Sequence, residues 1–256
     1  MPIVHRIHAF SDNYIWCIEN NGDCALVDPG DAAPCIEFIE KKELKLKAVL
    51  ITHHHFDHTG GLDDLHDYAA PVVYGPIKSH PRITQDCTEG KNVEVIGCNF
   101  QVMAVPGHTL DHIAFFNTDQ FNQPTLFCGD TLFAGGCGRL FEGTPAQMHQ
   151  SLQSLAALPS NTLVYCAHEY TEANLRFALS VEPQNQQLQQ RAQSVAKMRQ
   201  SGEATVPSSL KTELETNPFL RVNVTSFKTN ITNNDNVRTY SDAELFAEIR
   251  HRKDNF

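Results

Sequence analysis

Ala48-Val49-Leu50-Ile51-Thr52-His53-His54-His55-Phe56-Asp57-His58 is a short apolar run of strand type that passes without a break into four histidines and one carboxylate within seven residues. A buried strand that ends in polar side chains delivers them to a sheet edge, where open α/β folds place their sites. Imidazole and carboxylate are the ligands that zinc and similar borderline metals prefer. In an extended segment, residues two apart face the same side, so His53 and His55 form a pair and His54 points away. Asp57 and His58 follow a turn at Phe56 and can face a second position close by.

Around this stretch the chain alternates short β-type runs with turns. Tyr14–Ile18 and Cys24–Val27 flank Asn20-Asn21-Gly22-Asp23, a hairpin signal. Residues 34–44 carry a helical pattern, Gly60-Gly61 opens a helix through Tyr68, and β-type runs follow at 71–74, 93–96, 100–105, 113–116, 125–128 and 162–166. A helix over 145–157 sets Met148, Leu152 and Leu155 on one face. Strands first, then strands mixed with helices, predict two packed sheets with helices outside. Beyond about residue 170 the pattern becomes helical, with a break near Pro183, a glutamine-rich tract at 184–193 that reads as a solvated face, and a capping box at Ser241-Asp242-Ala243-Glu244 opening a last helix. The expected division is a catalytic domain over 1–168 and a helical domain over 169–256.

Three further segments place a ligand-type residue just past a strand, beside a small residue. They are Pro106-Gly107-His108-Thr109, Cys128-Gly129-Asp130-Thr131 and Tyr165-Cys166-Ala167-His168. Each His or Asp alone suits a turn, but their recurrence at strand ends points to one metal site. The eight cysteines form no C-x-x-C pair and several lie in apolar runs, so they are expected as reduced core residues, and any metal is held by nitrogen and oxygen.

Composition narrows the function classes. The net charge of −10 speaks against broad nucleic-acid binding, which needs a positive field along the phosphates. No apolar run approaches the ~18 residues of a membrane span. Met-Pro-Ile-Val-His-Arg-Ile-His lacks the basic start and long apolar stretch of a signal peptide. The expectation is a cytoplasmic protein without a membrane or nucleic-acid partner, and a monomer.

In order, T-H-x-H-x-D-H, G-H-T, G-D-T and A-H-E-Y resemble the metallo-β-lactamase fold hydrolases. Gly135–Thr144, Ala167–Thr171, Asn217–Arg221 and the R-x-x-K-D of 250–254 narrow the resemblance to the glyoxalase II (hydroxyacylglutathione hydrolase) family, over nearly the whole chain. That resemblance implies an α/β fold, a four-layer αββα metallo-β-lactamase-like sandwich with a C-terminal all-helical domain. It implies one ion on His53, His55 and His108, another on Asp57, His58 and His168, and Asp130 bridging them. His54, His112 and Asp28 are left as supporting residues. Two divalent ions per chain follow, zinc first, with iron or manganese compatible with the same ligands.

The implied reaction is hydrolysis of S-D-lactoylglutathione to glutathione and D-lactate, the second step of methylglyoxal detoxification. Two metals about 3.5–4 Å apart share a water and lower its pKa towards neutrality. Asp57 would orient that water as well as bind. A glutathione thiolate, of pKa roughly 8.5, departs without a strong general acid. Arg250 and Lys253 lie three apart on one helix face. The resemblance gives them a glutathione carboxylate, and Arg139 and Tyr170 the peptide portion, although basic residues also suit a helix C-terminus by its dipole. Phe141 departs from relatives with a tyrosine hydroxyl there. The rival readings are a glutathione persulfide dioxygenase with a single iron, and a non-catalytic metal-binding module.

Overall fold

Asn21 and Gly22 both take positive φ, 53° and 83°, the twist a tight hairpin needs. They join β2 (Asn13–Asn20) to β3 (Asp23–Val27), and β1 (Ile3–Ala9) pairs antiparallel with the other edge of β2. The computed structural model describes residues 1–233 and 240–256. From β3 onward the first sheet is parallel. It runs through β4 (Lys45–Leu50), β5 (Val72–Gly75) and β6 (Gln85–Asp86). Helices α1 (Ala32–Lys41) and α3 (Leu62–Ala69) make the β3–β4 and β4–β5 connections, with the single turn α2 (Phe56–Thr59) between β4 and α3. Asp31 caps α1 by accepting from Ala33 N at 3.0 Å.

Strand β2 is buried along most of its length because both its faces are covered. Ile15 and Cys17 join Ile39 of α1 and Leu62 and Leu65 of α3 in one core cluster. Trp16, on the opposite face, meets Tyr165 edge-on at 4.9 Å and donates from Nε1 to the Cys166 carbonyl at 3.0 Å. Tyr165 and Cys166 belong to the second sheet, which contains β7 (Asn92–Val95), β8 (Cys98–Ala104), β9 (Ile113–Asn117), β10 (Thr125–Gly129) and a strand at Leu163–Cys166. Fully buried Phe100, Phe115 and Phe127 fill its interior face. Helices, first sheet and second sheet thus form three successive layers. The parallel strands β3 and β4 end side by side, so Asp28 and Thr52 emerge at one edge.

The chain divides into two compact units. The first comprises Met1–Val105, Asp111–Gly129 and Tyr165–His168; the second comprises Pro106–Leu110, Asp130–Val164 and Glu169–Phe256. The passage after His168 is thus one of several, because Pro106–Leu110 and Asp130–Val164 also fall in the second unit.

In the second unit a small ribbon, β11 (Leu132–Phe133) with β12 (Gly136–Cys137), is followed by α4 (Pro145–Ala156). Helix α4 starts at a Thr144/Gln147 capping box and buries Met148, Leu152 and Leu155. Then come α5 (Thr171–Val181), α6 (Gln186–Gln200), α7 (Leu210–Thr216), α8 (Thr225–Asn233) and α9 (Asp242–Asp254). The Ser241/Glu244 capping box opens α9 as its sequence predicts. The glutamines of 184–193 face solvent while Leu188 and Val195 turn inward. After residue 168 one short strand, Ser208–Ser209, interrupts the helices and pairs with Leu163 and Val164. It has no strand partner within its own region among the described residues. Among these residues no helix is long and apolar enough to cross a membrane.

Candidate active site

Thr52 leaves β4 into a loop already held from below. Its N–H donates to Asp28 Oδ1 and its hydroxyl to Asp28 Oδ2, both at 2.8 Å. Asp28 adopts φ +53°, a left-handed conformation unusual for a residue with a side chain, and its carboxylate is thereby aimed back at the strand end. The Thr52 hydroxyl has one hydrogen. That hydrogen is committed to Asp28, so towards His53 Nδ1, 3.1 Å away, the oxygen acts as acceptor. His53 therefore carries its proton on Nδ1 and its lone pair on Nε2.

The same outward anchoring recurs. His168 Nδ1 donates to Asp12 Oδ1 at 2.8 Å, and His108 Nδ1 donates to the Arg139 carbonyl at 2.7 Å. Fixing Nδ1–H on a carboxylate or carbonyl leaves Nε2 as the ligand atom, as in histidine metal sites generally. In the first unit Asp57 Oδ2 lies 3.6 Å from His58 Nε2 and 3.4 Å from His168 Nε2. Asp57, His58 and His168 each offer a donor atom within 4.8 Å of the others. The His53 ring sits 4.1 Å from that of His58 and 4.7 Å from that of His55. In the second unit His108 Nε2 lies 3.3 Å from Asp130 Oδ2. Imidazoles held through Nδ1 with Nε2 left open, beside carboxylates, fit a divalent cation of the borderline class.

His54 engages a different group. Its Nδ1 is 3.0 Å from Asp111 Oδ1, and the other Asp111 oxygen accepts from the Ser79 hydroxyl at 2.5 Å. His112 stacks on His53 at 4.5 Å. All eight cysteines are free and buried. Burial pushes the Cys87 and Cys137 thiols up to about 11, so they stay protonated at neutral pH.

Close backbone approach fixes the two carboxylates. A Cβ at Gly30 would lie 1.9 Å from the Asp57 carbonyl oxygen, and one at Gly138 1.9 Å from the Asp130 carbonyl oxygen. Sequence reasoning missed Asp12 and Asn13. Asn13 Nδ2 donates to Asp57 Oδ2 at 3.0 Å. Asp12 ends the turn before β2 and Asn13 opens that strand, where Asp and Asn are expected on turn chemistry alone.

Arg139, Tyr170, Arg250 and Lys253 come together in the second unit, around a cavity of about 300 Å³ also lined by Phe133, Cys137, Asn174 and Asp254. Arg250 is only 7% exposed and donates to the Cys137 carbonyl at 3.1 Å and to Asp254 Oδ1 at 2.9 Å. Lys253 packs its Nζ over Phe177 and Phe256, at 5.4 and 5.6 Å. Burial, then the nearby Arg250 and Arg176 charges, holds its pKa below the usual lysine range. Exposed Phe141 sets its ring edge-on to His108 at 5.2 Å.

Beneath the cavity, β11 and β12 are pinned from α7. Fully buried Glu213 accepts from Gly135 N at 2.8 Å, Asn217 Nδ2 at 3.2 Å and Arg191 NH2 at 2.5 Å. Asn217 also donates to the Phe133 and Gly136 carbonyls, at 3.2 and 2.9 Å.

The layered sheets and the histidine–carboxylate donors define a protein of the metallo-β-lactamase superfamily, which residues 10–94 match. Residues 169–256 match the hydroxyacylglutathione hydrolase C-terminus. The hydroxyacylglutathione hydrolase of Photobacterium profundum is 50% identical over 259 aligned residues, covering 100% of both chains. That of Pseudomonas paraeruginosa is 48% identical and covers 99% of each. The crystal structure of ETHE1 from Myxococcus xanthus superposes with a TM-score of 0.66 at 25% identity, covering 98% of each chain. The chain belongs to the hydroxyacylglutathione hydrolase family.

Proposed function

We propose that this chain hydrolyses glutathione thioesters of 2-hydroxy acids, S-D-lactoylglutathione first among them, to glutathione and the free acid. The donor set alone would suit many hydrolases. The observation that carries the substrate is the cavity lined by Tyr170 and by Arg139, Arg250 and Lys253, three cationic groups of a kind that bind a peptide carboxylate, in a chain whose full-length relatives are named for that substrate. We assign one ion to His53, His55 and His108, the other to Asp57, His58 and His168, and Asp130 to both. Zinc is favoured by the donor types, and iron or manganese suits the same set.

When bound, the ions supply a water acidic enough to ionise near neutral pH and polarise the thioester carbonyl. The chain's residues do the rest. Asp57 orients the attacking water. Arg250 and Lys253 hold a glutathione carboxylate, and Arg139 and Tyr170 contact its peptide portion. The thiolate leaving group, of pKa roughly 8.5, needs no dedicated acid. Residues 1–168 serve as the catalytic domain and 169–256 as the substrate-binding domain, in a cytoplasmic monomer acting in methylglyoxal degradation.

The test follows the absorbance loss of S-D-lactoylglutathione, with metal content measured on the same sample. About two ions per chain are expected, with turnover abolished in Asp130→Ala. Full activity of that variant without metal loss removes Asp130 from the bridging role. Oxygen uptake on glutathione persulfide without thioester hydrolysis overturns the whole reading.

A further inference from the structure

We infer that the turn joining β1 to β2 is a positioning device for the ion assigned to Asp57, His58 and His168, and that Asn13 is the residue that orients Asp57. The inference rests on that ligand assignment and goes beyond it, to residues that touch no ion.

Three observations converge on this turn. Asp12 and Asn13 are consecutive, yet they reach residues far apart in the chain: Asp12 Oδ1 accepts from His168 Nδ1 at 2.8 Å, and Asn13 Nδ2 donates to Asp57 Oδ2 at 3.0 Å. The backbone is tied to the same place. Asn13 and His168 form an isolated antiparallel bridge, and Tyr14 N donates to the Ala167 carbonyl at 2.7 Å. The turn is also tightly shaped, with Phe10 at φ +50°.

The chemistry of the two side chains matches their targets. Asp57 Oδ2, the oxygen that Asn13 holds, is the one facing the Nε2 atoms of His58 and His168. The Asp57 side chain is 38% exposed, so burial alone does not set the orientation of its carboxylate. An amide N–H occupies one lone pair of that oxygen and leaves the negative charge intact for a cation. A lysine or arginine there would neutralise it and repel the ion. Asp12 acts on the histidine in the complementary sense. An anion accepting the Nδ1 proton fixes the His168 tautomer and raises the basicity of Nε2. One neutral donor and one anion, on adjacent residues, thus tune two ligands of one ion.

The test titrates the two ions out of the full-length protein with a chelator, after loading with cobalt(II) so that each loss is also read in the visible spectrum. In Asn13→Ala one ion is expected to be held roughly 10–100-fold more weakly, with the other at wild-type affinity. Asp12→Ala should weaken the same ion, and Asp12→Asn should do so less, because it keeps an oxygen acceptor but not the charge. That graded order is one a generally loosened fold would not produce, and it decides the matter if Asn13→Ala does not fold. Two ions in the wild type, with both released alike in all three variants, overturn the positioning role and leave the ligand assignment standing. A wild type that binds no ion overturns both.

Discussion

The candidate metal donors and the Arg250–Lys253 cavity hold their polar groups in opposite ways. His53 and His58 are fully buried, and His53, His108 and His168 are each held through Nδ1 by an oxygen. Around the cavity, Arg139 is 60% exposed at its side chain and Tyr170 37% exposed, so burial constrains them less, while the stiffness sits one layer below in Glu213, Asn217 and Arg191. The difference follows what each region must do. Donors for a cation must be in place before it arrives, since an uncompensated cluster of carboxylates and imidazoles tolerates little rearrangement. Groups proposed to bind a flexible peptide would gain from adapting to it, provided the floor beneath them is rigid.

The strongest way to break that contrast is to remove the rigid floor. Glu213→Ala strips a buried carboxylate from three donors and leaves Arg191 without its ion pair. A loss of about 3–5 kcal/mol in unfolding free energy is expected, read by chemical denaturation. A loss under ~1 kcal/mol would mean the floor is not what stiffens the cavity.

A smaller effect separates binding from chemistry. Lys253→Ala is expected to raise KM about fivefold, the equivalent of ~1 kcal/mol for a half-exposed ion pair, and to leave kcat near wild type. A fall in kcat at constant KM would place Lys253 with the reacting groups instead.

The smallest effect is a pH dependence. Burial, then the Arg250 and Arg176 charges, lowers the Lys253 pKa, so its charge is lost below the usual 10.5. As pH rises towards 10.5, KM should therefore climb. Stability should rise slightly over the same window, because the unfolded lysine still binds its proton after the folded one has released it. Lys253→Arg, charged throughout, should flatten the KM profile. A KM rise that persists in Lys253→Arg would assign the titration to another group.

The strand-end donors are legible in sequence because period-two alternation and residue type are both local. His53 and His55 need only an extended segment to share a side. The supporting residues are not legible in that way. Glu213 lies in Leu210-Lys211-Thr212-Glu213-Leu214-Glu215-Thr216, where a charged residue reads as solvated surface, and only the packing of α7 onto β11 and β12 buries it. Arg250 and Lys253 are visible as a pair by helical spacing. The bond from Arg250 to the Cys137 carbonyl, 113 residues away, is a tertiary fact that no spacing encodes. Ser208–Ser209 pairs with a strand edge for the same kind of reason: two residues carry no periodicity.

Gly30 and Gly138 each leave no room for a methyl group against a carboxylate's own main chain. The shape of the donor set is therefore written partly at positions with no functional group. A survey that replaces only charged and polar residues would pass over both. Adding a single carbon at either one should push Asp57 or Asp130 out of line as surely as cutting its side chain, and designers who wish to retune the spacing of the donors have their finest adjustment there.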